Sequence, residues 1–364
     1  MTASLSRVAI VGAGAMGCSI AALFARHGLD VTLIDPVAGA LERARHTLAM
    51  RLSDLADAAR GDAADRIVLA ADLDAAASAA LVIEAVPENL GLKQKIFADL
   101  DAVCMADTIF ATNTSGLSIT TLAQSTQRAD RFVGTHFFMP ADVIPLVEVV
   151  RNAATSTSTV ERVMTLLRQG GKRPVLVKQD IPGFIANRIQ HALAREAMSL
   201  LEKGIASAED IDEVVKWSLG IRLALSGPLE QRDLNGLDVH HAIASYLYAD
   251  LDNRTTPSAL LTQKVADGQL GAKSGEGFYR WSDADRETLL RQKSDDLRAL
   301  AAWLDGRAAG QPRPPSSSSN TPVADHARQD ASHATSHAGT SQEVPPSAHD
   351  TSDSSRAPAS RTST

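Results

Sequence analysis

The chain has 364 residues, 44% of them hydrophobic and 22% charged, which suits two or three soluble domains. Its net charge is -7 and it has no block of Lys or Arg, so nucleic acid is excluded as a main partner, because neutralising phosphates needs a basic face. Cys18 and Cys104 are the only cysteines. They cannot form a disulfide scaffold, lack metal-ligand spacing, and fit a reducing, cytoplasmic setting.

In chain order, Val8 to Val11 is a short apolar run that predicts a buried strand. The stretch from Val8 to Ala25 is uncharged, yet its glycines and alanines make it too weakly hydrophobic for a membrane span or signal segment. Gly12-Ala13-Gly14-Ala15-Met16-Gly17 turns into a helix reaching about His27, and a second strand, Val31 to Ile34, ends in Asp35. Strand, Gly-rich turn, helix, strand and acid in this order form a dinucleotide-binding fingerprint. Gly12 serves the tight turn, Gly14 the close approach of a pyrophosphate, and Gly17 the helix–sheet contact. The helix start offers free N–H groups to the phosphates. Asp35 is expected to accept from ribose hydroxyls and to repel a 2′-phosphate, which favours NAD over NADP.

A single helix is expected from Val37 to about Arg60, bearing Arg43, Arg45 and Arg51. Strands are expected at Ile67–Leu69, Leu81–Glu84, Thr108–Ala111 and Phe132–Gly134. With intervening helices they predict a doubly wound, mostly parallel α/β sheet. Polar groups follow three of the strands: Glu84 with Glu88, then Asn113-Thr114-Ser115, then His136. Ligands of such sheets bind at that rim. Glu148 lies within the apolar run Ile144–Val150, where an unpaired carboxylate is costly. A pair with His136 would give a general base whose tautomer the carboxylate sets; the alternative is a satisfied structural histidine.

Beyond Glu148, a helix near Val160–Gln169 and a strand at Pro174–Val177 complete a first domain, residues 1–180. Pro182-Gly183 breaks the chain before an all-helical domain, residues 181–306. Helices are expected there over Phe184–Lys203, Ala208–Leu219, Leu229–Ala249, Pro257–Ala266 and about Arg286–Leu304. From Arg307 to Thr364 the chain is rich in Ser, Thr and Pro, with Val323 and Val344 as its only large apolar residues. Such a segment is expected to be a disordered tail.

Several stretches together resemble the 3-hydroxyacyl-CoA dehydrogenase family, in order over about residues 5–281. They are the Gly12-Gly14-Gly17 turn, Glu84-Ala85-Val86-Pro87-Glu88-Asn89 with Lys93, Asn113-Thr114-Ser115, His136-Phe137-Phe138, Leu146-Val147-Glu148-Val149, Pro182-Gly183-Phe184-Ile185-Ala186-Asn187-Arg188, Gly227-Pro228, and Lys273-Ser274-Gly275-Glu276-Gly277-Phe278-Tyr279. The resemblance implies a Rossmann-like fold with a helical C-terminal domain, NAD as cofactor, no resident metal, and a homodimer formed through the helical domain. It implies reversible oxidation of an L-3-hydroxyacyl-CoA in fatty-acid or related acyl-CoA metabolism. In that scheme His136 is the base, Glu148 orients it, and Ser115 and Asn187 bind the reacting oxygen. Gly12, Gly14, Met16, Gly17, Asp35, Glu88, Lys93, Ser115 and Lys273 fall at cofactor-contacting positions; a solvated surface charge is the alternative for Glu88, Lys93 and Lys273.

Two departures bear on the substrate. Met139 stands where the family usually has Asn. The segment between Asp35 and Glu84 is shorter than the family's coenzyme A arm, leaving Arg43 and Arg51, on one helical face, as its phosphate-binding candidates. A small non-CoA 3-hydroxy acid is therefore the alternative substrate, and a catalytically silent NAD-binding structural protein the alternative of another class.

Overall fold

The computed structural model describes residues 7–308. The tail expected from Arg307 lies outside the described residues, apart from its first two positions, which continue a helix. The structure opens with β1 (Arg7–Val11), α1 (Ala15–Arg26) and β2 (Asp30–Ile34). Next come α2 (Ala40–Arg51), α3 (Asp57–Asp65), β3 (Ile67–Ala70) and β4 (Leu81–Glu84). They are followed by α4 (Leu90–Val103), β5 (Ile109–Thr112), α5 (Ile119–Ala123) and β6 (Phe132–Phe137). The strands close with β7 (Leu146–Arg151), α6 (Thr157–Gln169) and β8 (Arg173–Val177).

All eight strands form one sheet in the order β3-β2-β1-β4-β5-β6-β7-β8. Every neighbouring pair is parallel except β6 and β7, which run antiparallel. Apolar side chains bury both faces, α1, α2, α3 and α6 covering one and α4 and α5 the other. The doubly wound, Rossmann-like sheet is thus present. Two local expectations need correction. The helix expected from Val37 to Arg60 is broken between α2 and α3, where Leu52 turns inward and Arg26 and Arg298 hold the Asp54 side chain. His136, expected beyond a strand, lies inside β6.

The helical C-terminal domain comprises α7 (Ala186–Glu202), α8 (Ala208–Val214), α9 (Ile221–Leu225), α10 (Pro228–Asn235), α11 (Leu237–Leu247), α12 (Ala259–Ala266) and α13 (Asp283–Ala308). One π-helical stretch, Val215–Gly220, joins α8 to α9. The helix expected over Leu229–Ala249 is split at Gly236, whose φ of 95° ends α10 and starts α11. Among the described residues no helix is long and apolar enough to cross a membrane.

Candidate active site

The nucleotide-binding turn is built around backbone contacts that exclude side chains. Gly12 has φ 107°, and a Cβ there would lie 2.8 Å from the Ala85 carbonyl oxygen. A Cβ on Gly17 would come within 1.8 Å of the Gly12 carbonyl oxygen. Gly14 differs: it caps α1, and a Cβ there would meet nothing within 4 Å. That open space borders the N-terminus of α1, whose first N–H groups lack intrahelical acceptors and suit a pyrophosphate. Asp35 completes the cradle, one carboxylate oxygen accepting from Ala13 N at 2.8 Å and the other from Val37 N at 2.9 Å. The chemistry of this cradle fits a dinucleotide.

Beside the turn stands a second charged assembly. Glu84 is fully buried at the end of β4, where Lys93 Nζ donates to Oε1 at 2.6 Å and Thr112 Oγ1 to Oε2 at 2.6 Å. Burial pushes the Glu84 carboxyl up, while the Lys93 ammonium pulls it down less strongly. Lys93 also lies 3.3 Å from Glu88 and is itself buried, so it is a pillar beneath Glu88 and no solvated charge. Glu88 accepts from Thr114 Oγ1 and from Ser115 N. Burial pushes Glu88 up, and its hydrogen bonds with Thr114, Lys93 and Ser115 outweigh it, leaving the group below the usual carboxylate range. The loop bearing Ser115 is fastened in this way to the loop bearing Glu88.

The antiparallel register of β6 and β7 sets His136 directly opposite Glu148. Opposed residues share a face of the sheet, and His136 Nδ1 lies 2.8 Å from Glu148 Oε2. Both side chains are almost fully buried. The other carboxylate oxygen, Oε1, accepts from Ile185 N at 2.9 Å and Ala186 N at 3.0 Å at the start of α7. Burial pushes the Glu148 carboxyl up; the bonds from His136, Ala186 and Ile185 more than reverse that and hold it low. An ionised Glu148 accepts the Nδ1 hydrogen, which leaves the lone pair on Nε2.

Two phenylalanines frame the imidazole, Phe138 at 4.4 Å and Phe184 at 5.7 Å between ring centroids. Phe184 has φ 50°, a left-handed conformation that costs a non-glycine residue about 1–3 kcal/mol. It follows Gly183 in the turn that delivers the α7 N–H groups to Glu148. Asn187, three residues after Phe184, donates from Nδ2 to the Ser115 carbonyl oxygen at 3.0 Å. His136, Glu148, Asn187 and Ser115 are thus brought together by β6, β7, the start of α7 and the loop after β5. Lys273 is not joined to them: it is exposed on the turn after α12 and makes no hydrogen bond or ion pair with these residues.

Several supporting contacts were not legible in the sequence. Asn113 Oδ1 accepts from Phe137 N at 2.9 Å and so holds the strand beside His136. Lys172 donates to the carbonyl oxygens of Ala141 and Ile144, in the loop joining β6 to β7. Asp142 in the same loop accepts from Ser19 and Arg51, each at 2.6 Å. Arg51, a candidate for coenzyme A phosphate, is consequently committed to Asp142 within the protein. The contacts of Lys172 and Arg51 carried no local signal, since their partners lie far away in sequence.

The site has relatives among known proteins. The profile of the 3-hydroxyacyl-CoA dehydrogenase NAD binding domain matches residues 7–181, and that of the C-terminal domain residues 183–281. The chain is 37% identical over 307 residues to 5-formyl-3-hydroxy-2-methylpyridine 4-carboxylate 5-dehydrogenase of Mesorhizobium japonicum, which spans 83% of this chain and 99% of that protein. It is 38% identical over 283 residues to 3-hydroxybutyryl-CoA dehydrogenase of Clostridioides difficile, spanning 76% of this chain and 99% of that one. A solved structure of a 5-formyl-3-hydroxy-2-methylpyridine 4-carboxylic acid 5-dehydrogenase, described as an NAD+ dependent dismutase, superposes with a TM-score of 0.78 at 36% identity over 83% of this chain and 99% of that one. (S)-3-hydroxybutyryl-CoA dehydrogenase from Ralstonia eutropha gives 0.65 at 39% identity, over 77% and 100%.

Proposed function

The chain belongs to the 3-hydroxyacyl-CoA dehydrogenase family, and on that footing we propose that it oxidises a CH–OH carbon of a compact hydroxy acid, with His136 as the base. The observation that carries the reading is the buried His136–Glu148 pair beside Asn187 and Ser115. His136 Nε2 accepts the hydroxyl proton, and Glu148 holds Nδ1 and balances the positive charge that results. Asn187 and Ser115 orient the reacting oxygen and bear charge as it develops. NAD, when bound, supplies the acceptor for hydride. Met16 and the neighbouring N–H groups of α1 would hold its phosphates, Asp35 its ribose, and Glu88 and Lys93 would shape the floor near Ser115. Lys273 remains a cofactor contact by resemblance alone.

Two readings of the substrate differ in size. Relatives named as acyl-CoA dehydrogenases support a 3-hydroxyacyl-CoA and a place in fatty-acid metabolism. The compact substrate is favoured by the commitment of Arg51 and by α13. That helix lies beyond the family's C-terminal profile, which ends at residue 281. It is tied to the α2–α3 junction by Arg298 on Asp54 at 2.7 Å and to the start of β8 by Asp305 on Arg173 at 2.6 Å. The match to the Mesorhizobium protein covers more of the chain than lies ahead of α13, so it takes in part of this helix. NADH formation should be followed with free 3-hydroxy acids beside their CoA thioesters. Faster turnover of the acids is expected; preference for the thioesters would return the reading to acyl-CoA. We also assign the protein to the cytoplasm as a homodimer, with residues 1–180 and 181–306 as its two folded domains.

A further inference from the structure

A groove of about 630 Å³ opens directly behind Asn187, between α7 and residues 254–258 ahead of α12. Its size lies in the range that takes small ligands, roughly 300–1,000 Å³. Asn187, His191 and Arg195 follow one another at four-residue steps along α7, so they share a face, with His191 about 6 Å and Arg195 about 12 Å along the axis from Asn187. Arg188 and Arg254 line the same groove.

The charges in it do not balance. Asp252 and Glu202 are both taken by Arg254, at 2.5 and 2.6 Å. Arg195 Nη1 donates to the Arg254 carbonyl oxygen at 3.2 Å, while its Nε lies 4.0 Å from Asp252, buried and without a hydrogen-bond partner. Arg188 donates to the Pro182 carbonyl oxygen at 3.3 Å and meets no carboxylate among the described residues. Among the described residues Arg188 therefore meets no anionic partner, and Arg195 shares Asp252 with Arg254, in a groove that begins at Asn187. Guanidinium is the side chain suited to bidentate recognition of carboxylates.

We propose that this groove is an anion subsite that receives a carboxylate of the substrate, with Arg195 and His191 as the residues that select for it. The substrate class is then a hydroxy acid that carries a further free carboxylate, several bonds beyond the reacting carbon. The proposal deepens the reading of the site as a hydroxy-acid dehydrogenase and rests on it. A phosphate of coenzyme A shares the anionic chemistry, so the test separates the two.

Binding of glutarate, adipate, their dimethyl esters and adenosine 3′,5′-bisphosphate to the NAD-loaded protein is measured by calorimetry, without turnover. At least one diacid should bind, its affinity should fall about tenfold or more in Arg195→Met, and Arg195→Lys should recover part of it. The esters should bind far more weakly, and the bisphosphate should be indifferent to the change. His191→Leu, at an exposed position, should weaken the diacid as well and serves if Arg195→Met does not fold. Failure of both diacids to bind, equal binding by wild type and variants, or selective loss of the bisphosphate would overturn the subsite. Absence of NADH formation from every hydroxy acid and thioester, with diacid binding intact, would instead remove the dehydrogenase reading.

Discussion

In the proposed mechanism His136 and Glu148 do different work, so experiment can separate them. His136→Ala removes the proposed base and should lower kcat by about 10²–10⁴-fold. Glu148→Gln keeps the shape but loses the charge that fixes the Nδ1–H tautomer, and a loss of up to about 10⁴-fold is expected. Steady-state rates with NAD affinity as control decide both; near-normal turnover in either variant would sink the mechanism. Lys172 offers a test of a different kind. Burial pulls its ammonium down from 10.5 to about 8, against the smaller opposing influence of Asp142. Between those pH values the unfolded chain binds more protons than the folded one, so this group makes stability rise with pH. Below about pH 8 both states hold the proton and the contribution is flat. Urea unfolding should show the wild type gaining on Lys172→Met above pH 8, by at most about 1 kcal/mol per pH unit. Parallel pH profiles for the two proteins would show that the buried ammonium does not titrate there.

The Gly-rich turn and α1 act as one element, and their glycines fail in different ways when replaced. Gly17→Ala forces a Cβ into the Gly12 carbonyl oxygen, and the turn must move. A stability loss of about 1–3 kcal/mol or more is expected, as for other overpacked sites. Gly14→Ala meets no protein atom, so its melting temperature should stay at the wild-type value. The added methyl faces the open space proposed for the pyrophosphate, and NAD affinity should fall about three- to tenfold. Thermal melts and NAD titrations of the pair, run side by side, check both statements. A Gly14→Ala protein with unchanged NAD affinity would show that the phosphates do not approach this turn.

Across the molecule, apolar surface is distributed unevenly. The sheet domain buries its large side chains, whereas the helical domain leaves Trp217, Leu229, Leu234, Tyr246 and Tyr248 at least 70% exposed. An apolar area of that extent is the mark of an association surface. Sedimentation equilibrium should return a dimer, and Leu234→Asp should shift it toward monomer; a wild type monomeric at micromolar concentration would contradict the proposal. Truncation after Ala308 should leave activity and melting temperature unchanged, because that segment lacks the side chains to build a core. Truncation ahead of α13 removes the ties to Asp54 and Arg173 and should lower the melting temperature by a few degrees, roughly 2–4 °C.

The amino-acid sequence alone determined the order of strands and helices, the cofactor turn ending in Asp35, and the chemical kinds of residue gathered at the rim. These follow from short-range rules: apolar periodicity, turn-forming glycines, and the cost of a charge such as Glu148 in an apolar strand. It did not show what holds that charge. The antiparallel step between β6 and β7 places His136 across from Glu148, and the N–H groups that complete the carboxylate's shell belong to α7, far along the chain. Arg51 looked like a phosphate-binding candidate on one long helix; the break before α3 leaves it at the end of α2, where its bond to Asp142 ties it to the loop between β6 and β7. The break at Gly236 was missed because a glycine's positive φ has no side-chain signature. Local chemistry is written in neighbouring residues, but the partner of a buried charge is chosen by packing between segments distant in sequence, and only the tertiary structure decides it.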